Sequence, residues 1–492
     1  MVTRGLTVGL LACAILSEWC SAYCRFDGCD GYRSFSLDTD DGLATGRTRT
    51  WQLRKPWVVP YPEGHCVVNS GGVLVCTSSR GGPGWDNRSV PGLVAFDPEG
   101  HPLWNSTDIF NTSALPIADL NGNVFASDGF NLVALASTGQ PLGPPALISP
   151  NMGNLHSLAA THNNVFVLPS TDRDVATYLT NGVPLGSMWL NATVDGCHGT
   201  YTATQSALVS GFRAVFPTQF RPDNASCTVA QADCRLFAID IYRRLVGKMI
   251  QAWNVSIPCG SPSSFTHALP SADGFPQVDA PALHDARAVF VSLATMLPDH
   301  HLSCVAAVNE QNPVLSARVQ CFHDDGVNVS RTYDLAVPDQ SVQALSHLAL
   351  GPFHHNASTN HTGDPNSLLL ISFASLTWRA INFSRTSGQP LDIMTFGLVA
   401  EQEFVYVPGC PLMMLAGNQT GCRDAFLVAR AVAGSQLFLL QVQFARASSQ
   451  VTVVHSVALP LNATFCSGQM VLFAETQIAV PMDTGIVFID TQ

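Results

Sequence analysis

The chain repeats itself. The segment Gly92-Leu-Val-Ala-Phe-Asp-Pro-Glu-Gly-His-Pro-Leu-Trp104 aligns without a gap on Asn131-Leu-Val-Ala-Leu-Ala-Ser-Thr-Gly-Gln-Pro-Leu-Gly143, 39 residues further on. A G-x-P-L signature recurs at Gly100, Gly139, Gly182 and Gly388, each time after a short apolar run. Weaker echoes are Leu236 to Asp240 and Gly485 to Asp490. The apolar runs, such as Asn123 to Ser127 and Asn164 to Leu168, are short and β-branched or aromatic, and Gly, Asn and Asp bound them. Such runs read as strands, and no long window carries the 3.6-residue period of a helix.

A unit of about 40 residues holding four short strands is the signature of a β-propeller. One sheet of this kind cannot bury both of its faces; stacking sheets radially buries each on its neighbours and protects the edges. The expected fold is therefore all-β, an eight-bladed propeller, with seven blades as the alternative because the fifth unit is ambiguous. The unit boundaries fall near 65–107, 114–143, 155–191, 204–257, 279–336, 343–397 and 411–460. In the fifth, 317–322 is preferred over 304–308 as third strand, since His323-Asp-Asp-Gly326 then makes its turn. The last unit stops after Ile486 to Asp490, and 44–53 around Trp51 supplies its missing strand. The two ends of the chain are thus expected to pair in one sheet and close the ring.

Strand, Asp, a turn with Thr-Gly, then Leu-Trp is the pattern of the PQQ-like (quinoprotein-type) repeats, which this chain resembles most closely at Leu93 to Trp104 and Leu132 to Leu142, with Trp51, Trp189 and Trp253 at the same outer-strand position. The resemblance implies a propeller over 44–492. Quinoprotein dehydrogenases of that family hold pyrroloquinoline quinone and calcium, typically against a disulfide of adjacent cysteines. This chain has no Cys-Cys pair, and neither calcium ligands nor a catalytic Asp can be placed on it. No cofactor is expected, with pyrroloquinoline quinone and calcium as the alternative.

The compartment reads from three features. Residues 1–22 have the form of a secretory signal: Arg4, an apolar run from Leu6 to Leu16, then small residues at Ser21 and Ala22. A segment with two cysteines, 23–43, precedes the repeats. N-x-S/T occurs at Asn87, Asn105, Asn111, Asn191, Asn224, Asn254, Asn328, Asn356, Asn360, Asn382, Asn418 and Asn462, against about three or four expected by chance, which points to a glycoprotein. Cleavage after Ala22 leaves 13 of the 15 cysteines, an odd number. Close spacing suggests Cys24 with Cys29, Cys66 with Cys76, Cys227 with Cys234 and Cys410 with Cys422. Longer candidates are Cys197 with Cys259 and Cys304 with Cys321, leaving Cys466 unassigned. No C-x-x-C pair supports a zinc site instead. No later apolar stretch is long enough to span a bilayer. Together these features predict a secreted or lumenal protein.

Charge excludes some partners. Lys and Arg number 24 against 36 Asp and Glu, for a net −12, and only 12% of residues are charged, about half the usual ~25%. Without a basic run, nucleic acid is not an expected ligand. No G-x-S-x-G or H-E-x-x-H motif occurs. Asp119-Leu-Asn-Gly-Asn123 resembles the start of a calcium loop but lacks the Gly and Glu that must follow, so it reads as a hairpin turn. Asp38, Asp40 and Asp41 read as a solvated run. His300, His301, His323, His354, His355 and His361 cluster near carboxylates or sequons and read as solvent-facing loop residues. Long segments at 258–280, 297–315 and 353–366 are the expected recognition loops. The expectation is a non-catalytic binding or scaffold module, holding a protein or glycan ligand on a propeller face. Alternatives are a quinone-dependent secreted oxidoreductase and a structural component of an extracellular coat or wall.

Overall fold

The computed structural model describes residues 36–37, 56–59, 66–69, 71–77, 92–108, 116–119, 121–127, 131–147, 159–160, 165–169, 174–179, 183–204, 207–210, 212–224, 226–227, 233–242, 248–259, 268–270, 276–278, 289–297, 300–309, 316–337, 345–352, 367–373, 375–384, 387–407, 410, 412–415, 423–434, 436–445, 448–460, 463, 466, 468, 470–473 and 477–490. Every element among them is a β-strand. None of them forms a helix long and apolar enough to cross a membrane.

Strands follow one another into antiparallel meanders. The first sheet is Cys66–Val68, Leu74–Thr77, Leu93–Phe96 and Pro102–Ser106. The second runs from Ile117–Ala118 to Ala146–Leu147 and the third from Ala159–Ala160 to Pro184–Trp189. The fourth has six strands: a meander of Leu208–Ser210, Arg213–Pro222, Cys234–Tyr242 and Lys248–Ile257, plus a hairpin of Asn191–Val194 and Cys197–Ala203. The fifth runs from Val289–Leu297 to Val329–Val337. A sixth four-stranded sheet joins Val471–Phe473, Gln477–Met482 and Gly485–Asp490 to Trp57–Val59 from the other end of the sequence. First strands of successive sheets lie side by side: Cys66–Val68 touches Ile117–Ala118, Leu208–Ser210 touches Val289–Leu297, and Val471–Phe473 touches Cys66–Val68. This is a β-propeller.

Six sheets stand as separate blades among the described residues, so the expected count of eight, or seven, is corrected. The remaining meanders, Leu345–Pro352 to Pro390–Val399 and Met413–Leu415 to Gln450–Ala458, belong to a single ten-stranded sheet. A short parallel ladder joins the two meanders. Pro390–Val399 has ten residues where Pro102–Ser106 has five, and its end pairs in parallel with the next meander, Gly397 opposite Gln450 and Val399 opposite Thr452. Ser36–Leu37 adds a parallel edge strand to this sheet at Met414 and Leu415.

The ends of the sequence do meet. Trp57 lies opposite Phe488, Val58 opposite Val487 and Val59 opposite Ile486. The closing strand is Trp57–Val59; the expected strand at 44–53, with Trp51, lies outside the described residues. Two tryptophans six positions apart compete for this role in the sequence. Trp57 holds it here because its indole stacks on the Phe488 ring at 5.5 Å.

Alternation explains why these strands need one another. In the first sheet Cys66, Val68, Leu74, Cys76, Val94 and Phe96 pack toward the sheet of Val471 to Ile489. Their immediate neighbours Val67, Val75, Leu93 and Ala95 pack on Val124, Ala126, Val133 and Leu135 of the second sheet. A two-residue period thus sends consecutive side chains to opposite interfaces, and both faces are dry.

The G-x-P-L signature is a turn. Gly100, Gly139 and Gly388 have φ of +83°, +81° and +63°, a left-handed conformation that glycine adopts without a Cβ penalty. At Gly139 a close approach also demands glycine, because a Cβ there would lie 2.5 Å from Cγ of Trp104 in the preceding sheet. Asp119 heads a hairpin turn as expected, its Oδ1 accepting from the amides of Asn121 and Asn123 at 2.8 Å each.

Among the described residues, five disulfides join Cys66–Cys76, Cys197–Cys227, Cys234–Cys259, Cys304–Cys321 and Cys410–Cys466, a content compatible with an oxidising environment. The first and fourth join residues directly opposite on neighbouring strands, the pairing that their spacing suggests. The other expected pairs are corrected. Cys227 bonds Cys197, not Cys234, because the added hairpin carries Cys197 across to it; Cys234 then takes Cys259. Cys410 bonds Cys466 and not Cys422. Cys24, Cys29 and Cys422 lie outside the described residues.

Candidate functional site

Polar side chains gather at a joint between sheets and on the added hairpin, among other places in the described residues. The joint is built on Arg213, which begins a ten-residue strand of the fourth sheet. Its guanidinium donates from Nε to Asp240 Oδ1 at 2.8 Å and from Nη2 to Asp240 Oδ2 at 3.1 Å. Its Nη1 donates across the interface to Asp324 Oδ2 in the fifth sheet. Asp324 is 1% exposed, and also accepts from Trp253 Nε1 at 2.7 Å and from the Gly326 amide at 2.9 Å. Burial works against the Arg213 charge, yet its two carboxylate partners hold its pKa above the ordinary value. A buried ion of this kind is tolerable only because each oxygen is satisfied.

The same joint recurs with other residues. Trp104 Nε1 donates to the Ser137 carbonyl at 3.0 Å, bridging the first and second sheets. Trp57 and Val59 press on Gly100, and His323 presses on Gly388. The tryptophans near the outer edge are therefore clamps between neighbours. Asp324 and Asp240 thus make an ion lock with Arg213 between the fourth and fifth sheets.

The second place is a cleft of about 1210 Å³ where the chain departs from its own repeat. The hairpin Asn191–Val194 with Cys197–Ala203 pairs with the far half of Arg213–Pro222, Tyr201 opposite Phe220. Its turn is Asp195-Gly196, with φ of +49° and +81°, as a two-residue Asp-Gly hairpin requires. Gly199 lets it dock, since a Cβ there would lie 2.2 Å from the Arg221 carbonyl. Tyr201 anchors it: the phenol donates to Asp233 Oδ2, and its ring meets Phe220 and Phe237 at 5.3 and 5.2 Å. Burial and the Asp233 partner push the Tyr201 pKa above its ordinary value.

Trp189, Asn191, Thr193, His198, Arg221 and Asp223 line the cleft. The indole of Trp189 is 50% exposed, while Leu190 beside it is buried in the cluster of Phe216 and Ile239. His198 Nδ1 lies 2.9 Å from Thr193 Oγ1. A flat aromatic face among hydroxyl, amide, imidazole and carboxylate groups suits a polar ring that is apolar on one side.

Several expectations about site residues change here. His301 and His323 are buried, at 7% and 6% exposure, and belong to strands, not to exposed loops. Residues 300–309 are the second strand of the fifth sheet, so 297–315 is not a recognition insertion. The preferred third strand does form, as Ser316–Asp324. Within 258–280 a ribbon pairs Ala268–Pro270 with Pro276–Val278. His354, His355, His361 and 353–366 lie outside the described residues, as do Asp38, Asp40 and Asp41. Among the sequons, Asn105, Asn191, Asn224 and Asn328 are exposed, and Asn254 and Asn382 are half-buried. Asn87, Asn111, Asn356, Asn360, Asn418 and Asn462 lie outside the described residues. The sequence reading missed Arg213, Asp324 and the hairpin; the Asp195-Gly196 pair between alternating runs was the available signal for the last.

No family profile matches the sequence, and no curated protein matches it. Among solved structures the chain is similar to a quinohemoprotein alcohol dehydrogenase from Pseudomonas putida, at 11% identity and TM-score 0.41, over 75% of this chain and 64% of that one. It thus spans just under two thirds of the dehydrogenase's length. It is also similar to the Dos1 propeller, at 9% identity and TM-score 0.46 over 89% of this chain and 95% of that one. A third likeness is to the WD40 domain of SCAP from fission yeast, at 10% and 0.41 over 90% and 98%. None of these likenesses bears on activity.

Proposed function

We propose that this chain is a secreted or lumenal, N-glycosylated propeller that acts as a non-catalytic binding or scaffold module, presenting a face of the ring to a protein or glycan. The observation that carries this reading is the use made of Asp324, the fully buried carboxylate among the described residues. It is held by Arg213, Trp253 and the Gly326 amide, partners that brace two sheets against each other. A group poised for proton transfer or metal binding needs a reactant or ion within reach; this one faces a guanidinium. Five disulfides and exposed sequon asparagines support the compartment.

The test is expression of the full chain in secretory cells, followed by incubation with pyrroloquinoline quinone and calcium, and by a glycan microarray. The expected result is a glycosylated product in the medium that reduces no dye with alcohol or sugar substrates and retains a defined glycan or protein ligand. Quinone-dependent dye reduction would overturn the reading in favour of an oxidoreductase.

A further inference from the structure

We infer that Asn191 carries an N-glycan whose first sugar lies on the indole of Trp189, so that the cleft on the added hairpin is the seat of the chain's own glycan. The inference rests on the secretory reading above and goes beyond it by naming one modified residue and what holds the modification.

A two-residue period sets which side chains face out. From Trp189 to Val194 the exposed residues are Trp189, Asn191 and Thr193, while Leu190 is buried and Ala192 and Val194 are half-buried. Leu190, Ala192 and Val194 pack into the cluster around Tyr201 and Phe216. Aromatic ring, acceptor amide and sequon hydroxyl therefore share one face, with Trp189 and Asn191 two positions apart, about 6.6 Å along an extended chain. A pyranose joined to the Asn191 amide begins within reach of the ring. Its apolar C–H face meets the electron-rich face of the indole, and its hydroxyls turn outward.

The surroundings match that placement. Asn191, Trp189 and Thr193 line the same cleft, with Arg221, Asp223 and His198 along its walls. These side chains can donate to and accept from sugar hydroxyls and the N-acetyl group. At about 1210 Å³ the cleft exceeds the ~300–1,000 Å³ of an ordinary small-molecule pocket, leaving room for more than one sugar. Its floor is firm: the hairpin is tied by Cys197–Cys227 and by Tyr201 to Asp233.

The experiment uses the full chain secreted from eukaryotic cells. Glycopeptide mapping is expected to find Asn191 occupied. Asn191→Gln and Trp189→Ala should each lower Tm by about 1–3 °C, and the double variant should lose no more than the larger single loss, the non-additivity of residues in contact. Trp189→Phe, which keeps a ring face, should retain most of the stability. Trimming every glycan to a single N-acetylglucosamine should leave Tm unchanged. Occupied sequons elsewhere with a bare Asn191 would overturn the inference alone, as would strictly additive losses or an equal Trp189→Ala loss in protein made without glycans. A secreted chain with no sequon occupied, or a chain that never enters the secretory pathway, would instead overturn the reading on which it rests.

Discussion

Gly139 and Asp324 show how single side chains hold one sheet to the next. Adding a methyl at Gly139 places it against the Trp104 ring and strains a φ of +81°. Gly139→Ala should therefore destabilise the fold by about 1–3 kcal/mol in urea unfolding. Pairing it with Trp104→Leu should recover part of that loss, because the steric half of the penalty disappears. At Asp324, replacement by Ala leaves the Arg213 charge half-paired in a dry interface, a loss of about 3–5 kcal/mol. Another pair titrates. Arg318 donates to both oxygens of Asp334 at 2.7 and 2.6 Å and holds its carboxyl below the ordinary range. A depressed carboxylate contributes stability above its unfolded pKa and loses it as pH falls through the folded one. The Tm gap between the native chain and Arg318→Ala should thus be constant near neutrality and close in the acid range below about pH 4. High salt should narrow it too, since Arg318 is half exposed. The turn glycines were legible in the sequence, because a left-handed turn leaves a local mark, G-x-P-L. Asp324 was not. His323-Asp-Asp-Gly326 looks like any polar turn, and it is buried only because Arg213, 111 positions away, comes to meet it.

Elements were legible where contacts are local and were misread where an insertion intervenes. Cys66 and Cys76 flank one hairpin, so their spacing and their bond agree. Cys197, Cys227, Cys234 and Cys259 lie around the added hairpin, whose effect on their partners no spacing rule reveals. The same hairpin places Trp189 and Asn191 in a cleft that the repeat alone does not contain. Closing a loop in the unfolded chain costs entropy that grows with its length. On that account the 10-residue separation of Cys66–Cys76 and the 56-residue separation of Cys410–Cys466 correspond to about 2.7 and 4.2 kcal/mol. Replacing both cysteines by Ala in each pair, and measuring unfolding midpoints, should give the larger loss for Cys410–Cys466. Equal losses would mean that native packing, not chain entropy, sets the contribution. The merging of two C-terminal meanders into one sheet was likewise hidden. The only mark in Pro390 to Val399 is Gly397, where pairing with Thr377 gives way to parallel pairing with Gln450, and a single glycine inside an apolar run does not reveal a change of partner.

At the scale of the whole molecule, the ring depends on contact between residues 431 positions apart, Trp57 and Phe488. The last sheet takes three strands from one end of the sequence and one from the other, so it is completed only when every intervening sheet has brought the ends together. Such a pairing carries the largest loop-closure cost in the chain and should form late in folding. An interaction absent from the transition state changes the unfolding rate and leaves refolding alone. Trp57 is half-buried, and Trp57→Ala removes its stack on Phe488 and its contact with Gly100, for a loss of about 2 kcal/mol. Stopped-flow measurements should find unfolding faster by about 30-fold with refolding unchanged. The reverse partition, slow refolding with unfolding intact, would mean that the ends meet first and the sheets assemble inside a loop already closed.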